Sequence, residues 1–266
     1  MSDAQAPRIL AITNQKGGVG KTTTAINLGA ALSRIGKTVL IVDIDPQGNA
    51  STGLGIEPSA RDLTTYDLLL DDAPLAQVIQ KTEILGMSIA PATTDLSSTD
   101  VELVSQGNRV FLLKEALNGP TAAAFDYVLI DCPPSLSLLT VNALVASDAV
   151  LVPLQSEFFA LEGLSQLMLT VREVRETANP GLRIEGIVLT MYDLRNNLSR
   201  QVEADARENL GELVFQTRIP RNVRVSEAPS YAMSVIDYDP ASKGSQAYMA
   251  LAEELLARAS VEKEQA

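Results

Sequence analysis

The stretch Lys16-Gly17-Gly18-Val19-Gly20-Lys21-Thr22 decides the fold of this chain. An apolar run, Ile9-Leu10-Ala11-Ile12, precedes it, and a helical pattern begins near Thr22. A strand, a glycine-rich loop and a helix in this order predict a phosphate-binding loop. The glycines let the backbone turn its N–H groups onto an anion, and the positive end of the following helix adds to that field.

Two side chains of the loop have the chemistry that a bound nucleotide needs. We expect Lys21 to reach the β- and γ-phosphates and the hydroxyl of Thr22 to bind Mg²⁺. The alternative, a glycine-rich turn with two solvated lysines, does not explain the strand and helix that flank the motif. The residues predicted to bind ATP in this segment are Lys16, Gly17, Gly18, Val19, Gly20, Lys21, Thr22 and Thr23.

Carboxylates follow two further buried strands of the predicted fold. The β-branched run at residues 38–42 ends in Asp43 and Asp45, and the apolar run at residues 127–130 ends in Asp131. Ligands of open α/β sheets lie at the carboxyl ends of parallel strands, so these side chains should sit beside the loop. An apolar strand closing on Asp131 is the Walker B arrangement, which supports Mg²⁺.

The composition excludes several kinds of chemistry. The chain has 266 residues with no histidine, so any general base must be a carboxylate or a lysine. Its one cysteine, Cys132, excludes an internal disulfide and fits a reducing compartment. A net charge of −12 predicts no global attraction to nucleic acid, so such binding would need a local basic patch. The polar N-terminus and the absence of a long apolar run lead us to expect a cytoplasmic protein.

Alternating strands and helices predict an α/β fold, a single-domain, doubly wound, mostly parallel sheet flanked by helices. We expect helices at residues 22–35, 95–117, 160–178 and 241–259, and strands at residues 8–13, 38–42, 87–90, 127–131, 149–154 and 184–191. We divide the chain into a flexible N-terminus (1–7), one ATPase domain (8–259) and a polar tail (260–266).

Arginines are concentrated between residues 195 and 224. Six of them lie there among four acidic residues, a local charge of +2 in an acidic protein. Arginine suits fork-like contacts with phosphate. The competing interpretation is a solvated helix face with ion pairs three and four residues apart, which we favour for Arg200 and Arg207.

The loop departs from the standard P-loop, because Gln15 stands where that pattern has glycine and a second lysine, Lys16, opens the motif. KGGVGKT resembles the deviant Walker A loop of the ParA/MinD group of P-loop ATPases. DIDPQGN (43–49) and DCPP (131–134) resemble the switch I and switch II segments of that group, and MYDLRNNLSRQV (191–202), IPRNVRVSEAPS (219–230) and YDPASKGSQAY (238–248) resemble chromosomal ParA (Soj-type) proteins.

The resemblance implies roles for individual residues. Lys16 would reach across a homodimer to the partner's nucleotide, Asp43 would support Mg²⁺ through water, and Asp45 would orient the attacking water. Pro220 and Asn222 match positions that contact the adenine base. The arginines implied in non-specific binding to double-stranded DNA are Arg195, Arg200, Arg221 and Arg224.

The implied function is a slow, Mg²⁺-dependent ATPase for chromosome or plasmid partition, released from DNA when a ParB-type partner stimulates hydrolysis. Three alternatives stay open: a MinD- or MipZ-like positioning ATPase, an ATP-dependent cargo positioner without a DNA role, and a metabolic P-loop enzyme. The tail has no basic amphipathic face, so we expect no membrane binding.

Overall fold

The computed structural model describes residues 6–103, 107–157 and 160–265. Most of the segment that we predicted to be a flexible N-terminus, residues 1–5, lies outside these ranges.

One eight-stranded sheet forms the centre of the described chain. Its spatial order is β3-β4-β2-β5-β1-β6-β7-β8, and every neighbouring pair is parallel except β3 with β4. The strands are β1 (Arg8–Ile12), β2 (Val39–Asp43), β3 (Gln80–Lys81), β4 (Met87–Ala90), β5 (Tyr127–Asp131), β6 (Ala149–Gln155), β7 (Arg183–Tyr192) and β8 (Val214–Pro220).

Helices cover both faces of the sheet. They are α1 (Lys21–Arg34), α2 (Asn49–Gly53), α3 (Thr65–Leu70), α4 (Leu75–Val78), α5 (Thr99–Glu102), α6 (Leu112–Leu117), α7 (Leu138–Ala146), α8 (Ala160–Thr177), α9 (Asn197–Leu210), α10 (Val223–Glu227), α11 (Val235–Tyr238) and α12 (Lys243–Gln265). Short 3₁₀ segments lie at Pro58–Ala60, Thr94–Ser98, Ala122–Ala124, Gly211–Leu213 and Ala228–Tyr231.

The continuous apolar strands are buried because each contributes to two cores. In β2, Val39 and Ile41 pack into the core under α1 and α12, whereas Leu40 and Val42 pack into the core under α7 and α8. Successive side chains of a strand point to opposite faces, so a strand covered on both sides must be apolar at every position. The predicted doubly wound α/β fold is confirmed.

Three predicted helices match closely, but the one expected at residues 95–117 is wrong. The described part of this region holds a 3₁₀ turn at Thr94–Ser98, the single turn of α5 and, after a gap in the description, α6. Gly107 and Asn108 explain the late start of α6, since both favour turns and the carbonyl of Asn108 accepts a hydrogen bond from the N–H of Phe111.

Two strands and one helix end were not predicted. The sequence pattern did not indicate the edge strands β3 and β8, one of only two residues and the other interrupted by polar side chains. The backbone of α12 continues to Gln265, so the segment expected to be a polar tail begins as helix.

The topology places the carboxyl ends of β1, β2 and β5 together. β1 lies between β5 and β6, and Asp131 pairs with Ile12 on one side and Asp43 on the other. The glycine-rich loop leaves the end of β1, so it emerges directly beside both carboxylates.

Candidate nucleotide site and arginine groove

The glycine-rich loop joins β1 to α1 with two residues in left-handed backbone. Gly18 has φ of 74° and Gly20 has φ of 89°, backbone conformations that residues other than glycine rarely adopt. Gly20 is also the residue that precedes α1. Gly17 and Gly18 are exposed at the positive end of α1, where an anion can approach the backbone of the loop.

Two side chains outside the motif fasten the loop to the sheet. The carbonyl of Val19 accepts a 2.7 Å hydrogen bond from the hydroxyl of Thr190 on β7. Asn14 accepts a 3.1 Å bond from the N–H of Lys16, and its own amide donates to the carbonyl of Pro153 on β6 at 2.8 Å. Because hydrogen bonds hold both ends of the turn, the loop is preorganised for phosphate.

Lys21 lies inside the loop rather than in solvent. Its residue is 6% exposed, and its ammonium donates a 3.2 Å hydrogen bond to the carbonyl of Lys16. Burial lowers the pKa of Lys21, while Asp131, Cys132 and Asp45 act against that shift. An ammonium held within the curve of the loop is placed to meet phosphate oxygens.

Asp43 is fully buried at the end of β2 and held in a fixed orientation. One of its oxygens accepts bonds from the hydroxyl and the N–H of Ser51, at 2.7 and 2.9 Å, and the other from the N–H of Asp45 at 3.2 Å. Burial raises the pKa of Asp43 to about 6 despite these hydrogen bonds. Asp45 is 6% exposed and accepts a 3.0 Å bond from the N–H of Gln47.

Asp131 is the most distinctive group of the site. Both of its carboxylate oxygens are buried, and neither accepts a hydrogen bond from a described residue. Burial raises the pKa of Asp131 well above its usual value, the nearby Asp43 raises it further, and Thr22 and Lys21 only partly oppose this. A buried carboxylate without hydrogen bonds is costly, and a cation or an ordered water would satisfy it.

These residues fit a magnesium ion that is shared with a nucleotide. Among the described residues no three acidic, cysteine or histidine side chains form a metal site on their own. Mg²⁺ typically binds proteins through one or two oxygen ligands together with waters and substrate phosphates. The hydroxyl of Thr22 and the carboxylates of Asp43 and Asp131 form such an incomplete set of donors.

Cys132, next to Asp131, is fully buried, and burial raises the pKa of its thiol. It belongs to the hydrophobic core between the sheet and α7. Cys132 is therefore a packed core residue, and a thiol kept protonated by burial is a poor nucleophile.

A second feature is a groove of about 800 Å³ at the carboxyl end of β7 and β8. Four cations line it: the predicted Arg195 and Arg221, together with Arg218 and Lys243, which we had not assigned to DNA. Asp193 also lines the groove and binds Arg195 through both carboxylate oxygens, at 3.1 and 3.0 Å. Arg195 holds the pKa of Asp193 down at about 2. We call these residues the arginine groove.

Comparisons with known proteins agree with this geometry. A family described as "AAA domain" matches residues 7–184. The chromosome partitioning protein ParA of Caulobacter vibrioides is 56% identical over 94% of both chains. The sporulation initiation inhibitor protein Soj of Bacillus subtilis is 52% identical over 94% of this chain and 98% of its own. The chain belongs to the ParA/Soj family of P-loop ATPases.

A solved structure also matches the fold. It is named cobyrinic acid a,c-diamide synthase of Mycobacterium smegmatis, with bound ADP and magnesium. It is 39% identical, covers 94% of both chains and has a TM-score of 0.83. As a ParA/Soj ATPase, this chain is an ATP hydrolase.

The four arginines that the ParA/Soj resemblance implied in DNA binding lie in different surroundings. Arg195 and Arg221 line the arginine groove, whereas Arg200 is exposed on α9 and hydrogen-bonds to Asn197. Arg224, on α10, pairs with Glu227 at 2.9 Å and Asp239 at 3.3 Å. The assignment of all four arginines to DNA remains a prediction.

Arg207 has a structural role, as the ion-pair interpretation expected. Its guanidinium lies 2.9 Å from Glu203, four residues earlier. Glu203 also pairs with Arg218 at 2.7 Å and accepts a 2.6 Å bond from Tyr192. This network orients Arg218, whose guanidinium lies 5.3 Å from the centre of the Tyr192 ring. Within the described residues, Arg200 forms no ion pair with Glu203, three residues later.

Pro220 and Asn222 lie at the turn between β8 and α10. Pro220 ends β8 opposite Tyr192, and Asn222 caps α10 by accepting a 2.9 Å bond from the N–H of Arg224. Their contact with adenine remains a prediction from the ParA/Soj resemblance.

Sequence reasoning missed three residues that hold the site. Thr190 interrupts an apolar strand, and a polar residue buried there was a usable signal. Ser51 lies on α2, eight residues after the end of β2, and Glu157 lies two residues after β6, but nothing in their spacing distinguishes them from ordinary polar residues. Only the folded geometry brings Ser51 to Asp43 and Glu157 to Lys16.

Proposed function

We propose that this chain is a DNA-partitioning ATPase that switches between a free subunit and an ATP-bound dimer. ATP and Mg²⁺ bring two subunits together through Lys16, and the dimer binds double-stranded DNA without sequence preference. A ParB-type partner stimulates hydrolysis, after which the dimer opens and leaves the DNA. In the cell we expect it in the cytoplasm, on the nucleoid when bound to ATP.

One observation carries this proposal, the hydrogen bond between Val19 and Thr190. Val19 belongs to the nucleotide loop, and Thr190 lies on β7, which leads two residues later into Tyr192 and the arginine groove. Between them Met191 has φ of 50°, a strained conformation for a residue with a side chain. The last three residues of β7 therefore connect the glycine-rich loop with the cations that would contact phosphate.

The residues of the loop divide the work on the nucleotide. Backbone N–H groups around Gly18 and Gly20 bind phosphate oxygens, and Lys21 neutralises charge at the β- and γ-phosphates. Thr22, Asp43 and Asp131 would hold the metal directly or through water, and Mg²⁺ would supply charge neutralisation on the phosphates when bound. Asp45 orients the attacking water, and the partner's Lys16 meets charge that develops on the γ-phosphate.

The arginine groove supports binding to the DNA backbone. Its cations donate to phosphate oxygens, which carry no sequence information, so binding is expected to be non-specific and strongly salt-dependent. Two grooves in a dimer act together, which makes weak single contacts sufficient. Nucleotide-dependent pairing of subunits then controls the affinity for DNA.

A gel shift tests the proposal. The wild-type protein is incubated with an unrelated duplex, Mg²⁺ and either ADP or a non-hydrolysable ATP analogue. We expect a shift with the analogue that weakens as salt is raised, and none with ADP. No shift in either state would favour the cargo-positioning alternative, and co-sedimentation with acidic liposomes in the presence of ATP would favour a MinD-like function.

A metabolic synthase is a second candidate, because the 39% identical structure is named as a synthase. We place partitioning first, since the relative named for chromosome partitioning is 56% identical. The same gel shift separates the two, because a synthase acting on a small molecule has no need to retain DNA when it binds ATP.

A further inference from the structure

Lys16 is engaged within its own subunit. Its ammonium lies 2.5 Å from a carboxylate oxygen of Glu157, just beyond the end of β6. The other oxygen of Glu157 accepts a hydrogen bond from the side chain of Gln155. Lys16 therefore pairs with a carboxylate, Glu157, whose position is fixed by Gln155.

The backbone on both sides of this contact is also fixed. The N–H of Lys16 donates to Asn14, and the amide of Asn14 donates to the carbonyl of Pro153, two residues before Gln155. Lys16 is thus linked to the end of β6 through Asn14, by two hydrogen bonds in series, besides the ion pair. The approach of Lys16 to Glu157 follows from this shared anchoring rather than from a chance meeting of long side chains.

The contact is nevertheless open to competition. The side chain of Lys16 is 39% exposed and that of Glu157 is 47% exposed. Ion pairs with this exposure contribute little stability because water screens them. A stronger anion that approaches from outside can therefore take the ammonium away from Glu157.

Resting on the proposed function, we infer that Glu157 is a positioning residue that retains Lys16 in its own subunit until a second copy presents a triphosphate. The several negative charges of ATP attract the ammonium of Lys16 more strongly than the single carboxylate of Glu157 does. ADP lacks the γ-phosphate and therefore attracts this ammonium less strongly than ATP. Glu157 thereby raises the threshold for dimerisation and makes it depend more strongly on the γ-phosphate. A symmetric dimer contains two Lys16–Glu157 pairs and both must open, so Glu157 affects the free energy of dimerisation twice.

The test is the dimer dissociation constant of Glu157→Gln, measured by sedimentation with Mg²⁺ and a non-hydrolysable ATP analogue. Loss of one exposed pair changes an equilibrium about two- to fivefold, and two pairs open per dimer. We therefore expect a dissociation constant roughly 4- to 25-fold lower than in the wild type. With ADP, the variant should form dimers at concentrations where the wild type does not.

Glu173→Gln is the matched control, since it removes the same charge from an exposed position of α8. It should leave the dissociation constant unchanged. Gln155→Leu is a second variant that keeps both charges and frees Glu157 from its restraint, so it should shift the constant in the same direction by less. A general structural defect would not strengthen dimerisation in both variants.

Two results would overturn the inference. A dissociation constant of Glu157→Gln equal to that of the wild type would mean that the ion pair sets no threshold. Weaker dimerisation of that variant would mean that Glu157 supports the dimer instead. A wild-type protein that stays a single subunit with the ATP analogue would contradict the proposed function itself, so the two failures are distinguishable.

Discussion

Asp43 and Asp131 lie directly opposite each other where the parallel strands β2 and β5 end. Both are fully buried, and the pKa of each carboxyl is raised, chiefly by burial. Two buried carboxylates at neighbouring positions repel each other once both are ionised. Ionisation of both carboxylates is therefore unfavourable in the free protein, and a bound cation would reduce their repulsion.

The first prediction concerns stability against pH without nucleotide or metal. The folded pKa of Asp43, about 6, lies above its unfolded value of 3.8, so its stabilising effect is complete below pH 3.8 and is lost as pH rises through 6. Asp131 shifts in the same direction. Asp131→Asn should therefore raise the free energy of unfolding at pH 7.5, by on the order of 1–3 kcal/mol, and by less at pH 4.5.

Denaturant unfolding at the two pH values measures this difference. Asp62→Asn, at an exposed position, is the control and should behave as the wild type. If Asp131→Asn is destabilising at pH 7.5, the carboxylate makes a favourable interaction that the structure does not contain.

The second prediction concerns Lys21. Lys21→Ala removes an ammonium that is held inside the loop, 3.2 Å from the carbonyl of Lys16. Loss of a buried charge partner costs about 2 kcal/mol or more, so ATP affinity should fall at least about 30-fold. Calorimetric titration measures it, with the exposed Lys114→Ala as control. Retained tight binding would show that the phosphates do not lie in this loop.

The third prediction concerns Asp45, which is nearly buried beside Asp43 and fixed by the N–H of Gln47. Asp45→Ala should still bind ATP and form dimers, but phosphate release should fall about 100-fold, the usual contribution of a group that handles the reacting water. Phosphate release and sedimentation are measured on the same sample. Unchanged release would mean that another residue orients the water.

The fourth prediction concerns Arg195, an exposed residue that lines the arginine groove and forms an ion pair with the half-buried Asp193. Arg195→Ala removes two phosphate contacts per dimer, so the slope of log affinity against log salt should fall by about 2. ATP affinity should not change. Arg172→Ala, exposed on α8, is the control. Loss of both DNA and nucleotide binding would indicate misfolding.

Much of this architecture could be predicted because it depends on local rules. Continuous apolar runs such as that of β2 predict strands buried on both faces, and glycines that must adopt positive φ mark the loop. The carboxylates Asp43 and Asp131 could be placed together because parallel strands end at a common edge.

The remainder depends on contacts between segments far apart in sequence. Thr190 lies 171 residues from Val19, and Glu157 lies 141 residues from Lys16. Arg218 and Lys243 join the arginine groove only because β8 and α12 pack together there. The single helix predicted at residues 95–117 was wrong because the prediction used only the spacing of apolar residues and ignored the turn-forming Gly107 and Asn108.

The central claim is that each subunit of a pair supplies Lys16 to the triphosphate bound by the other. Its most direct test is the mass of the wild-type protein by light scattering at micromolar concentration, with Mg²⁺ and either ADP or a non-hydrolysable ATP analogue. We predict the mass of one subunit, 28.4 kDa, with ADP and twice that mass with the analogue. A single-subunit mass in saturating analogue and Mg²⁺ would contradict the claim.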